Sequence, residues 1–223
     1  MKKLLPVILL LCLATAAFGL EFSAGGGMTV GGFSQAAYFE PYWVLISVDS
    51  FKSVETNAPI DFSAFFDATY AVASVGFRMN GNTHTKTTTI LGASTFTNDD
   101  DDHYRSGFLS LSLLGKYPFT LGPLSLFPLL GIEYDLILYY KDETGADLDT
   151  TDLSQFWFKL GVGADIVLYK GLSVRPQALL GFKLHNQDER DWIETAQGAP
   201  YNATTHRISD FAFEGGVQVG WRF

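Results

Sequence analysis

The residues of this chain that could do chemistry are few, and their spacing argues against most reactions. His185 is followed by Asn186 and Gln187. A histidine acting as general base needs a nucleophile within reach and an acid to orient its ring. Neither is adjacent, so His185 reads as a rim histidine pairing with the acidic neighbours of Lys183. Asp61, Asp67 and Glu133 are carboxylates that could be paired for acid–base work, but each sits on the polar face of an alternating segment, where salt bridges are the simpler role. Asn98 followed by Asp99, Asp100, Asp101 and Asp102 offers hard oxygen ligands of the kind calcium prefers. Four consecutive acids lack the spaced ligands and glycine turn of a wrapped loop, so the run reads as a solvated loop. His84, His103 and His206 fall in three separate loops with no ligand spacing. No catalytic residue, cofactor or metal is assigned.

Composition then bounds what these residues are attached to. The chain has 223 residues and a net charge of -9, from 15 Lys+Arg against 24 Asp+Glu, which argues against nucleic acid as a partner. Charged residues make up 17%, below the roughly 25% of soluble domains, whereas aromatics reach 15% with 19 Phe and 10 Tyr, alongside 22 Gly. Few charges with many aromatics and glycines suggest a sheet protein with an apolar outer face. The single cysteine, Cys12, excludes an intramolecular disulfide and a cysteine-based zinc site.

Cys12 lies in an export signal. Lys2 and Lys3 form a positive start, Leu4 to Leu13 an apolar core, and Ala17-Phe18-Gly19 a small-x-small cleavage site. About a dozen apolar residues are too few for a membrane-spanning helix. Leu11 stands where a lipoprotein would need a small residue before its cysteine. Residues 1–19 are thus expected to be a signal peptide and 20–223 one mature domain. Removing Lys2 and Lys3 takes the net charge from -9 to -11.

The mature chain alternates with the period of two that β-strands impose. At the C-terminus, Phe211, Phe213, Gly215, Val217, Val219, Trp221 and Phe223 share one face, while Ala212, Glu214, Gly216, Gln218, Gly220 and Arg222 share the other. The same division recurs over 156–168, 172–184, 60–67, 71–79 and 106–117, with a glycine-rich strand over 22–30. The stretch 124–140 is the least regular, because Phe127, Leu129 and Ile137 interrupt its polar face. This makes eight strands. The links near 68–70, 118–123 and 170–171 are short, whereas 34–59, 80–105, 141–154 and 188–209 are long and polar. Strict alternation of short and long links is the habit of an eight-stranded antiparallel up-and-down transmembrane β-barrel with short periplasmic turns and long extracellular loops.

Charge placement fits that architecture. The polar faces carry Asp61, Asp67, Glu133, Asp135, Asp165 and Glu214 against Arg78, Lys116, Lys159, Arg175, Lys183 and Arg222. Six acids balance six bases, as expected of pairs in a lumen with little water, where an unpaired charge would cost several kcal/mol. The opposite faces carry no Lys or Arg. The four long links hold -2, -2, -4 and -2, so the excess acid is expected outside. An eight-stranded interior is wide enough only for side chains or one small ligand. Aromatics cluster at strand ends: Phe22, Tyr70, Tyr117, Phe119, Tyr169, Trp221 and Phe223 at the periplasmic side, and Phe33, Tyr140, Phe156, Phe182 and Phe211 at the other. Amphipathic rings favour headgroup depth.

With the signal, the alternation, the loop asymmetry and the terminal Trp221-Arg222-Phe223 together, residues 20–223 resemble the small eight-stranded outer-membrane barrels of bacteria, the OmpA-, OmpX- and OmpW-like proteins. The resemblance implies localisation in the bacterial outer membrane, contact with its lipid, and reading of Trp221 and Phe223 by the barrel-assembly machinery. The family's glycine five residues before the terminus is replaced here by Gln218, with Gly216 and Gly220 flanking. Some barrels of this size modify lipid or cleave protein, but the His-x-Ser of the deacylating ones is absent, since Gln187 takes the third position. The expectation is a non-enzymatic monomer with a narrow or plugged lumen, acting through acidic loops, host surface ligands included, or as a structural membrane protein. The alternative is an OmpW-like conduit for small hydrophobic molecules with a lateral opening. The apolar stretch Tyr38 to Ile46 would then hold a hydrophobic gate at Tyr42, Trp43 and Leu45, or else extend the first strand above the membrane or pack among the loops.

Overall fold

The computed structural model describes residues 21–41, 48–81, 83–91, 94–148, 150, 153–184 and 203–223. Twelve strands follow in order: β1 (Phe22–Pro41), β2 (Val48–Asn57), β3 (Ile60–Ala68), β4 (Ala71–Asn80), β5 (Thr83–Leu91), β6 (Ser94–Asp102), β7 (Arg105–Lys116), β8 (Phe119–Leu121), β9 (Leu124–Lys141), β10 (Gln155–Tyr169), β11 (Leu172–Leu184) and β12 (Ala203–Arg222). Eight of them close a barrel in the order β1-β3-β4-β7-β9-β10-β11-β12, with β12 pairing back onto β1. Every neighbouring pair is antiparallel.

The other four strands correct the expected loops. β1 pairs with β3 from Phe22 to Val30, then with β2 from Phe33 to Phe39. β2 pairs in turn with β5, and β5 with β6. The described parts of 34–59 and 80–105 therefore continue the sheet beyond the barrel, rather than forming loops. Hydrophobic alternation marks only a strand with one wet and one dry face, and these strands lack that contrast. β5 carries threonine or another polar residue at Thr83, His84, Thr85, Lys86, Thr87, Thr88 and Thr89 in succession. The acids Asp99 to Asp102 also belong to a strand, β6, and so form an extended run rather than a loop. β6 pairs on one side only, and charge on an exposed edge discourages pairing with a foreign strand.

At the opposite end the links are tight. Thr69 and Lys170 take the left-handed conformation, at φ 40 and 37, and Gly171 follows at φ 95, where a side chain would be strained. The link 118–123 is itself a small hairpin, β8 on the start of β9.

The barrel is inside out relative to a soluble protein. Among the described residues, 33 large apolar side chains are exposed and only nine apolar residues are buried, a far larger apolar surface than soluble proteins leave in water. Outward positions on β9 run from Leu126 to Leu138 without a charge. Twelve residue steps at about 3.3 Å, tilted by roughly 40°, give a belt about 30 Å tall, close to a membrane's hydrocarbon thickness. Backbone groups are satisfied strand to strand around the closed ring, the condition for crossing such a layer. No described helix is long and apolar enough to cross a membrane.

Candidate functional site

The buried interior is a stack of charged and apolar layers. Nearest the end with the tight links, Lys116 on β7 lies 2.5 Å from Asp67 on β3 and 3.5 Å from Asp165 on β10. Arg175 on β11 donates to Asp165 at 2.6 and 3.0 Å and also to Asp67. The Arg175 guanidinium lies 4.9 Å from the Phe65 ring centroid, and Lys116 lies 4.8 Å from that of Phe127. These four charges sum to zero.

Above them comes an apolar layer of Leu114, Phe127, Leu129 and Leu179. Small residues on the facing strand make room for it. A Cβ at Gly163 would run into the Phe127 ring, and one at Gly161 would meet Leu179 Cδ2 at 2.7 Å. Phe127 and Leu129 are thus not breaks in the alternation of β9, as they look in the sequence. They are lumen residues that happen to be apolar.

The middle layer is acidic. Arg78 on β4 donates to Asp135 at 2.5 Å, Glu133 at 2.6 Å and Glu214 at 3.0 Å, and lies 3.7 Å from Asp61. Lys159 on β10 reaches Glu133 at 2.6 Å and Glu214 at 2.7 Å. Two bases meet four acids from β3, β9 and β12, tying both sides of the barrel across its interior. Lys159 and Asp135 are each only 1% exposed, so removing either partner would strand a charge in a low dielectric.

A third charged layer lies toward the end that carries β2, β5 and β6, where Lys183 Nζ is 3.6 Å from Asp210 and Gln35 donates to Asp210 at 3.0 Å. Asp210 is missing from the sequence-derived set. Its signal was available: Asp210, Ala212 and Glu214 continue one face of β12. Arg222 moves the other way, lying half-buried at the end with the tight links, 3.0 Å from Glu21. The buried interior therefore holds seven acids and five bases, not six of each, and the surplus sits in the middle layer.

These layers separate cavities. The outer one, about 150 Å³, has Arg78 and Glu214 at its floor and Phe33, Tyr104, Phe108, Tyr140 and Trp157 among its walls. Phe33 and Tyr140 accordingly face inward, whereas Phe156, Phe182 and Phe211 are exposed outside as expected. A space of about 30 Å³ lies at the middle layer, and one of about 240 Å³ opens around Lys116, Asp165 and Arg222. Chemically this arrangement is suited to tying strands together and obstructing the interior. Among the described residues no group of three or more His, Cys, Asp or Glu is placed to hold a metal ion. Tyr42, Trp43, Leu45, His185 and residues 1–20 lie outside the described residues. His84 and His103 are exposed, and Trp221 and Phe223 are exposed on the outer surface of the last strand.

No protein-family model and no curated protein matches the chain. Among solved structures it is similar to Neisserial surface protein A, with a TM-score of 0.38 and 11% identity, covering 89% of this chain and 97% of that one. It is similar to the outer membrane protein OprG from Pseudomonas aeruginosa, with a TM-score of 0.41 and 13% identity, over 90% of this chain and 97% of that one. For Ail, the attachment invasion locus protein of Yersinia pestis, the TM-score is 0.28 at 11% identity, over 89% and 99% of the two chains. By its own strand order and closure, the chain is an eight-stranded antiparallel up-and-down β-barrel.

Proposed function

We propose that the protein is an integral barrel of a bacterial outer membrane whose lumen is closed by side chains, and that it acts through its acidic extracellular sheet and loops or as a structural element of the membrane. The observation that carries this reading is the pairing of an uncharged, exposed apolar belt with an interior crossed by Arg78 and Lys159. On this reading the lipid of the outer membrane is the solvent of the belt, and Trp221 and Phe223 are the residues read during assembly. Folding into detergent or lipid vesicles tests it: the folded chain should migrate faster on gels when unheated than when boiled. Loss of that difference in folding-competent conditions would contradict any barrel.

A second reading draws on the outer cavity, whose aromatic walls favour small apolar molecules. The protein would then accept such molecules at its mouth and release them sideways past Tyr42, Trp43 and Leu45. Binding of a labelled alkane should fall when Trp43 and Leu45 are replaced by Ser, and undiminished binding would count against that gate.

A further inference from the structure

We propose that Arg105 and Lys141 form, on the outward face of the barrel, a site for the phosphate of a membrane-lipid headgroup. The inference rests on the membrane reading above. Arg105 on β7 and Lys141 on β9 are direct cross-strand partners. Like charges in that relation repel, and their repulsion is relieved by an anion that both can reach.

Their height on the barrel is set by the same two strands. Below Lys141, β9 presents the exposed Leu136 and Leu138 outward; below Arg105, β7 presents Leu109 and the exposed Leu111. The two cations therefore stand at the upper edge of the apolar belt, where headgroups begin. The Tyr104 and Tyr140 rings, 5.5 Å apart, fix the backbone beside both.

The nearby acids neutralise the pair only in part. Asp142 is committed to its own turn, accepting from the Thr144 hydroxyl at 2.7 Å, the Thr144 amide at 2.9 Å and the Ala146 amide at 2.9 Å. Asp147, bridged to Lys141 through the backbone, reaches its ammonium at 3.3 Å, but with the Asp147 side chain 80% exposed this is a weak surface pair that an anion bound by both cations has to outcompete. Arg105 is exposed, and among the described residues it has no acidic partner. A guanidinium presenting two parallel donors suits a phosphate better than a lone ammonium does. Lys86 on β5 differs, because Asp99 lies directly across from it.

The test uses the full mature chain folded in neutral detergent, with bisphosphorylated lipid A as probe and the same lipid dephosphorylated as comparison. Retained lipid is measured by native mass spectrometry. The inference expects the phosphorylated lipid to be retained preferentially, and the double variant Arg105→Gln/Lys141→Gln to lose about fivefold or more of that retention. Lys86→Gln should retain as much as the parent. Equal retention by parent and double variant, equal retention of both lipids, or an equal loss on Lys86→Gln would each overturn the site. Heat-modifiable migration is read first on every sample. A parent that never folds contradicts the membrane reading itself, whereas a folded barrel without phosphate preference contradicts only this inference.

Discussion

Arg78 on β4 donates a hydrogen bond to Asp135 on β9 at 2.5 Å, although β7 lies between their strands in the barrel wall. The bond is therefore a chord through the interior rather than a contact along the sheet. Arg78 also serves Glu133 and Glu214, so the loss of one side chain orphans several buried carboxylates at once.

Replacing Arg78 by Leu should accordingly destabilise the barrel by about 3–5 kcal/mol, the cost of breaking a buried ion pair from one side. Adding Asp135→Asn and Glu133→Gln to that variant should recover part of the loss, because fewer charges are then left without a partner. Equilibrium urea unfolding in vesicles, followed by Trp fluorescence, measures both.

Gly163 faces the Phe127 ring in the apolar layer. Gly163→Ala should cost about 1–3 kcal/mol by overpacking. In a Phe127→Leu background the same change should cost less, and the two effects should not add. Unfolding midpoints of the four proteins in the cycle give the coupling.

Leu130 lies near the middle of the belt and is 56% exposed. Leu130→Arg should cost about 2–4 kcal/mol in a bilayer. Thr88→Arg, on the polar β5 beyond the barrel, should be close to neutral. If both substitutions cost the same, the belt is not in hydrocarbon.

The Asp142 carboxyl is held below the ordinary aspartate range, first by the Thr144 hydroxyl and then by the Ala146 amide. A lowered folded-state pKa means that its stabilisation of the turn is present at neutral pH and is lost as pH falls through the folded value. The Thr144 and Ala146 amide resonances should therefore shift on acidification with a midpoint below that of an exposed aspartate. Asp142→Asn should abolish that transition.

How much of this the sequence carried depends on the contrast between the two faces of each strand. Where one face is the exposed apolar belt and the other the lumen, alternation located β3, β4, β10, β11 and the inner part of β12 closely. Beyond the belt, β2, β5 and β6 carry no regular apolar alternation. The interior charges were legible as a set, because each lies on the polar face of its strand. Their partners were not: that Arg78 meets Glu214, 136 residues away, depends on barrel closure and strand stagger, which no local pattern encodes. Phe127 and Leu129 illustrate the remaining gap, since a lumen that is plugged can be lined with apolar residues as readily as with charged ones.

The central claim is that the layered side chains close the lumen. Single-channel recording of the purified, folded parent in planar bilayers tests it most directly, with the Arg78→Leu variant beside it. The account predicts no steady conductance for the parent. Any conductance that appears in the variant should favour cations, because the middle layer carries surplus acid. Steady, sizeable conductance through the parent barrel would contradict it.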